Sequence, residues 1–151
     1  MNRRQLLLWT IAAGTAGLAL GRARAASPVI EVYKTPACGC CGGWVDHLRG
    51  NGFTVRVNEV DDTAPWRQRA GIAAALGSCH TAFVGRYALE GHVPATDIRR
   101  LLAEQPAALG LAVPGMEPTS PGMGEDHGPG WNVLLIAKDG STRIFHAYPA
   151  R

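Results

Sequence analysis

The chain has 151 residues, 46% apolar and 18% charged, with a formal net charge of +3. Four of its 15 basic residues, Arg3, Arg4, Arg22 and Arg24, lie in the first 25 positions, which leaves 11 basic against 12 acidic residues beyond them. That balance, with no basic run, no heptads and no second long apolar stretch, argues against a nucleic-acid surface and against a membrane-embedded body.

Met1-Asn2-Arg3-Arg4 forms a basic start, Leu6 to Leu20 is apolar, and Ala23-Arg24-Ala25 offers the small residues a signal peptidase needs. The apolar run, about 15 residues and interrupted by glycine, is short against the roughly 20 that span a bilayer. The chain therefore reads as a signal peptide over 1–25 and one domain over 26–151, periplasmic or otherwise exported, with no stable membrane span after cleavage. Asn2-Arg3-Arg4-Gln5-Leu6-Leu7 resembles a twin-arginine export signal, a route that carries folded cargo.

Pro28 to Lys34 is an apolar run that predicts a buried strand, stopped by Thr35-Pro36. A helical period starts at Trp44 and closes at Gly50-Asn51-Gly52, so Cys38, Cys40 and Cys41 fall at a strand-to-helix turn. Phe53 to Val60 alternates as a second strand, and Thr63 to Ala75 predicts a helix with Pro65 in its first turn. Two short strands flank Gly85-Arg86, and Pro94 to Leu102 is an amphipathic helix. From Gly110 to Gly130 the Gly- and Pro-rich chain reads as a long irregular loop, after which Asp139-Gly140 joins two strands in a hairpin. This order predicts an α/β fold, a thioredoxin-like mixed sheet flanked by helices, with an additional C-terminal β-hairpin.

Chemistry concentrates in Cys38-Gly39-Cys40-Cys41. The unpaired N–H groups and positive dipole end of a helix amino terminus favour thiolate over thiol, the form that both attacks disulfides and ligates metals. A dithiol catalyst needs only Cys38 and Cys41, and Cys40 between them would open competing disulfides. Three thiolates in four residues suit a soft ion bridged by several sulfurs. Cys79 makes a fourth, a set that favours Cu(I), zinc or an iron–sulfur cluster. Two structural disulfides, such as Cys38 to Cys41 and Cys40 to Cys79, are the bland alternative for an exported chain.

His80 stands beside Cys79, and His92 follows the next short strand, each a candidate ligand or support; His47 reads as a surface residue and His127 as incidental. Pro114-Gly115-Met116 and Pro121-Gly122-Met123 present methionines after turns, where a thioether suits Cu(I) better than zinc; the alternative is gap-filling against the core.

Together, Tyr33 to Cys41, Gly43-Trp44-Val45, Ser78-Cys79-His80-Thr81, Glu90 to Pro94, Gly110 to Met116 and Ser120 to Met123 resemble the CopG-type metal-binding proteins, envelope proteins tied to bacterial copper resistance and unrelated to the like-named DNA repressor. The resemblance spans nearly all of the chain beyond the leader. It implies a thioredoxin-like fold and copper in a sulfur-rich, multinuclear site, with Cys38, Cys40, Cys41 and Cys79 as ligands and His80, His92, Met116 and Met123 as further candidates. Where family members often carry Val-Pro before the Ser-Cys-His segment this chain has Ile72 to Leu76, which predicts an altered helix end and not a lost site. The expected function is holding Cu(I) for copper resistance, with copper ions and other envelope copper-handling proteins as partners and redox activity at the same thiols. A thiol–disulfide oxidoreductase using Cys38 and Cys41 is the main alternative, and a zinc-stabilised domain a third.

Overall fold

A computed structural model describes residues 28–115 and 117–151; the leader expected over 1–25 and the candidate ligand Met116 lie outside the described residues. Among the described residues no helix is long and apolar enough to cross a membrane.

The sheet grows outward from β1 (Ile30–Lys34), whose Ile30 and Val32 are fully buried on one face. β1 pairs in parallel with β2 (Val55–Glu59) and antiparallel with β3 (His80–Val84), and β3 turns through Gly85 into β4 (Tyr87–Glu90). With α1 (Gly39–Gly50), α2 (Ala64–Arg69) and α3 (Ala95–Glu104), these strands form the thioredoxin-like unit. Beyond it lie β5 (Ala108–Ala112), β6 (Trp131–Ala137) and β7 (Thr142–Tyr148), giving the order β2-β1-β3-β4-β5-β6-β7.

Alternation along each strand assigns the two faces of the sheet. Ile30, Val32, Ala82, Val84, Leu89 and Leu111 lie on the face where Trp44 and Leu48 of α1 and Ile98 and Leu101 of α3 complete the main core. Each fully buried side chain of this size contributes about 1.5–3 kcal/mol, so this layer dominates the stability. The opposite face carries Tyr33, Phe83, Ala88, Glu90, Ala112 and Ile136, over which short α2 and the stretch from Ile72 to Leu76 fold back.

The structure departs from the sequence reading in three places. The expected helix over Thr63 to Ala75 ends at Arg69, because Gly71 takes a φ of +72°; a single 3-10 turn at Ala74–Leu76 follows. The segment expected to start an irregular loop is β5, held between β4 in parallel and β6 antiparallel. The addition beyond the thioredoxin-like unit is thus three strands, with the expected hairpin as its outer pair. Finally, α1 starts at Gly39 with Cys38 as its N-cap, so Cys40 and Cys41 lie inside the first turn.

Candidate metal centre

Three elements converge on the amino end of α1. The loop after β1 and the first turn of α1 carry Cys38, Cys40 and Cys41; the residue preceding β3 is Cys79 and its first residue is His80; the turn after β4 delivers His92. The antiparallel pairing of Lys34 with His80 sets the first two against each other, so β1 ends where β3 begins. No acidic side chain occupies the first turn of α1 and no side chain caps it, which leaves its dipole end turned toward the sulfurs.

All four cysteine sulfurs lie within 4.8 Å of one another. Cys40 Sγ is 3.8 Å from both Cys38 Sγ and Cys79 Sγ, and Cys41 Sγ is 3.4 Å from Cys79 Sγ. Cys38 and Cys41 are joined by a disulfide, and Cys40 and Cys79 are free thiols. Metal–sulfur bonds of about 2.3 Å place tetrahedral ligands about 3.8 Å apart, the spacing of Cys40 Sγ from the sulfurs of Cys38 and Cys79. Burial, then the neighbouring Cys40 sulfur, pushes the Cys79 thiol up to about 11.

A second donor set overlaps the first: Cys41 and Cys79 with ring nitrogens of His80 and His92, again within 4.8 Å. The tautomers follow from the partners, because a carbonyl only accepts. His80 Nε2–H donates to the Gly91 carbonyl at 3.0 Å, which leaves Nδ1 with its lone pair 3.3 Å from Cys41 Sγ. His92 Nδ1–H donates to the Pro121 carbonyl at 2.8 Å, and its Nε2, buried, has no hydrogen-bond partner among the described residues. Burial, with the neighbouring His92, pushes His80 down to about 3, and burial lowers His92 as well, so both rings are neutral, the form that ligates metals.

The support around these donors explains several otherwise unremarkable residues. Trp44, fully buried, stacks its indole on His80 at 4.3 Å and donates Nε1–H to the Val93 carbonyl at 2.9 Å. Glu90, completely inaccessible, accepts from the Ser78 backbone N–H at 2.6 Å, from Thr81 Oγ1 at 2.7 Å and from Arg67 Nε at 3.2 Å, and so fixes both neighbours of the Cys79-His80 pair. The Pro121-Gly122-Met123 turn lies directly on α1. A Cβ on Gly43 would meet the Gly122 carbonyl at 2.7 Å, and one on Gly122 would strike the Trp44 backbone nitrogen. The turn thereby reaches His92 and closes that side of the site; Met123 rides on it, half-buried, its backbone N–H bonded to the Ser120 carbonyl.

A family model described as a protein of unknown function, DUF411, matches residues 76–123, which hold Cys79, His80, His92 and Met123. No curated protein matches the chain. Two solved structures, both described as copper resistance protein CopG, in Form 1 and Form 2, superpose with a TM-score of 0.77 at 37% identity. They cover 82% of this chain, and 99% of Form 2 and 98% of Form 1 are covered in turn. The chain belongs to the CopG family of copper resistance proteins.

Within this CopG-family chain, the structure gathers Cys38, Cys40, Cys41 and Cys79 in one group and Cys41, Cys79, His80 and His92 in a second that overlaps it, and places the turn of Met123 against the same helix. His47 is corrected: it is half-buried and its Nε2 accepts the Ala95 backbone N–H at 3.1 Å, satisfying the start of α3. His127 is exposed, as expected for an incidental residue. Sequence reasoning missed Glu90, Trp44 and Arg67. Glu90 had one available signal, a carboxylate in an otherwise apolar strand, Tyr87-Ala88-Leu89-Glu90, where a charge needs a buried partner.

Proposed function

We propose that this protein holds Cu(I) in an exported, envelope location, as part of copper resistance, with Cys38, Cys40, Cys41 and Cys79 as bridging thiolate ligands of a multinuclear site. His80 and His92 complete it as nitrogen donors, and Met116 and Met123 are thioether candidates on the loop that closes it. One observation carries the reading: two donor sets share Cys41 and Cys79, and each imidazole ties one nitrogen to a backbone carbonyl, which leaves the other free to ligate. Such donors select soft ions.

The Cys38–Cys41 disulfide ties metal loading to redox state. Two electrons and two protons from a thiol reductant open it to two thiols, and each thiol that becomes a ligand releases its proton. Oxidation of the pair withdraws two of the four sulfurs, which suits a protein that takes up and surrenders copper to other envelope copper-handling proteins. The leader over 1–25 accounts for the location, by the twin-arginine route.

The test is anaerobic titration of the reduced protein with Cu(I), in parallel with zinc, followed by elemental analysis after free metal is removed. Several coppers retained per chain, lost in Cys40→Ser and Cys79→Ser, are expected. Retention of zinc alone would overturn the copper reading. A second reading is favoured by the Cys38–Cys41 disulfide standing at the amino end of α1: a thiol–disulfide oxidoreductase in which Cys38 attacks and Cys41 resolves. Metal-free reduction of insulin, undiminished in Cys79→Ser, would establish it instead.

A further inference from the structure

Away from the thiols, the second face of the sheet contains a hollow that the copper reading does not use. One cross-strand row runs Phe83, Ala88, Gly110, Ile136 across β3, β4, β5 and β6. Its two central residues have almost no side chain, and Gly110 must remain so because a Cβ there would strike the Ala88 carbonyl. Beside this row lies a cavity of about 490 Å³ floored by Phe83, Ala88 and Leu109, within the range of small-molecule sites, roughly 300–1,000 Å³. Short α2 ends before covering it.

Three cations line this cavity, Arg69, Arg86 and Lys138, and no carboxylate does. None of the three forms an ion pair among the described residues. Arg86, exposed at the rim, is held by two neutral acceptors, the Tyr87 hydroxyl and the Gln105 carbonyl, each at 2.8 Å, with its guanidinium 5.0 Å from the centroid of the Tyr87 ring. The wall it braces is equally fixed: Gln105 adopts a left-handed conformation with φ of 48°, and the Tyr87 hydroxyl donates to the Pro106 carbonyl at 2.9 Å. Phe83 and Arg69 also border an adjoining cleft walled by the stacked rings of Tyr33 and Trp66, whose centroids are 3.7 Å apart. The one carboxylate there, Glu31, is already paired with Arg56.

We propose that this hollow is a binding site for a small organic anion, a carboxylate or phosphate carried on an apolar, preferably aromatic, body. Guanidinium and ammonium groups recognise the anion, with Arg86 as the held contact and Arg69 and Lys138 as flexible ones. The Phe83 and Leu109 floor takes the apolar part. The site lies at the end of the sheet where β3 turns into β4, whereas the thiols lie at the end where β3 begins, so ligand and metal would bind independently.

Phenyl phosphate is the probe, titrated into the 15N-labelled protein and followed by amide chemical shifts, with inorganic phosphate and benzyl alcohol as controls. Saturable shifts are expected at Phe83, Arg86 and Leu109, with both controls binding more weakly. The double variant Arg69→Gln/Lys138→Gln should weaken phenyl phosphate by roughly tenfold or more, the scale of one lost charge-assisted hydrogen bond, while metal retention stays unchanged. Benzyl alcohol binding as well as phenyl phosphate, inorganic phosphate binding as well as phenyl phosphate, unchanged affinity in the double variant, or no saturable shift at millimolar probe would each overturn the proposal. None of these outcomes bears on the thiols, so failure here leaves the copper reading standing.

Discussion

Two side chains at residue scale make sharp predictions. Glu90 and Arg67 form a largely buried pair whose carboxylate also holds the Ser78 N–H and the Thr81 hydroxyl. Glu90→Gln leaves Arg67 an uncompensated cation, and breaking a buried pair in this way costs about 3–5 kcal/mol. Urea unfolding should show that loss, and because Glu90 positions the Cys79-His80 segment, retained copper should fall even in molecules that remain folded. His47 predicts a pH effect. Burial and Arg99 lower its affinity for a proton, so the unfolded chain binds that proton more tightly than the folded one. Stability contributed at this site is therefore full above the unfolded value of about 6.5 and declines as the pH falls below it. His47→Gln keeps an acceptor for the Ala95 N–H without a titrating proton, and denaturation midpoints measured from pH 7 to pH 5 should decline less steeply than in the parent.

The closing turn is the informative element at the next scale. Gly122 takes a φ of +88°, and a Cβ there would strike the Trp44 nitrogen, so Gly122→Ala meets backbone strain and a collision together. A cost of about 1–3 kcal/mol is expected, and the protein can relieve it locally by lifting the turn off α1. Hydrogen exchange should then rise at Met123, whose N–H is bonded to the Ser120 carbonyl, while the α1 amides remain protected. His92 would lose its Pro121 partner in the same event, so copper retention should weaken without global unfolding. The outer hairpin is anchored differently. Asp97 of α3, buried, accepts from Tyr148 at 2.7 Å and bonds His146 Nδ1 at 2.8 Å, which ties β7 to the thioredoxin-like unit.

For the whole molecule, metal binding and folding are linked, since the donors come from segments far apart in the chain. Cys38 and Cys79 meet only when β1 and β3 pair, so an ion that binds the assembled site stabilises the native state as a whole. Cu(I) at a hundredfold excess over its dissociation constant should add about 2.7 kcal/mol to the reduced protein, read as a raised thermal midpoint. Under the same excess the oxidised protein, with Cys38 and Cys41 in their disulfide, should gain less. An equal gain in both states would show that those two sulfurs are not ligands.

What the sequence determined by itself is whatever depends on neighbours along the chain. Periodicity marked β1, the amphipathic α3 and the Asp139-Gly140 hairpin, and the spacing of Cys38, Cys40 and Cys41 placed three cysteines at a helix start. β5 was not legible, because five small and apolar residues become a strand only when β4 and β6 supply hydrogen bonds on both sides. Nor was the helix break at Gly71, where a run of good helix formers gives way to a left-handed glycine. Tertiary structure alone decided which donors meet. It brought Cys79 and His80 to α1 through strand pairing, fixed each histidine's tautomer through the carbonyls of Gly91 and Pro121, and buried Glu90 where its partners are Arg67 and Ser78. Those are contacts between residues 11 to 39 positions apart, and local sequence carries no physical term for a contact that only the folded chain can make.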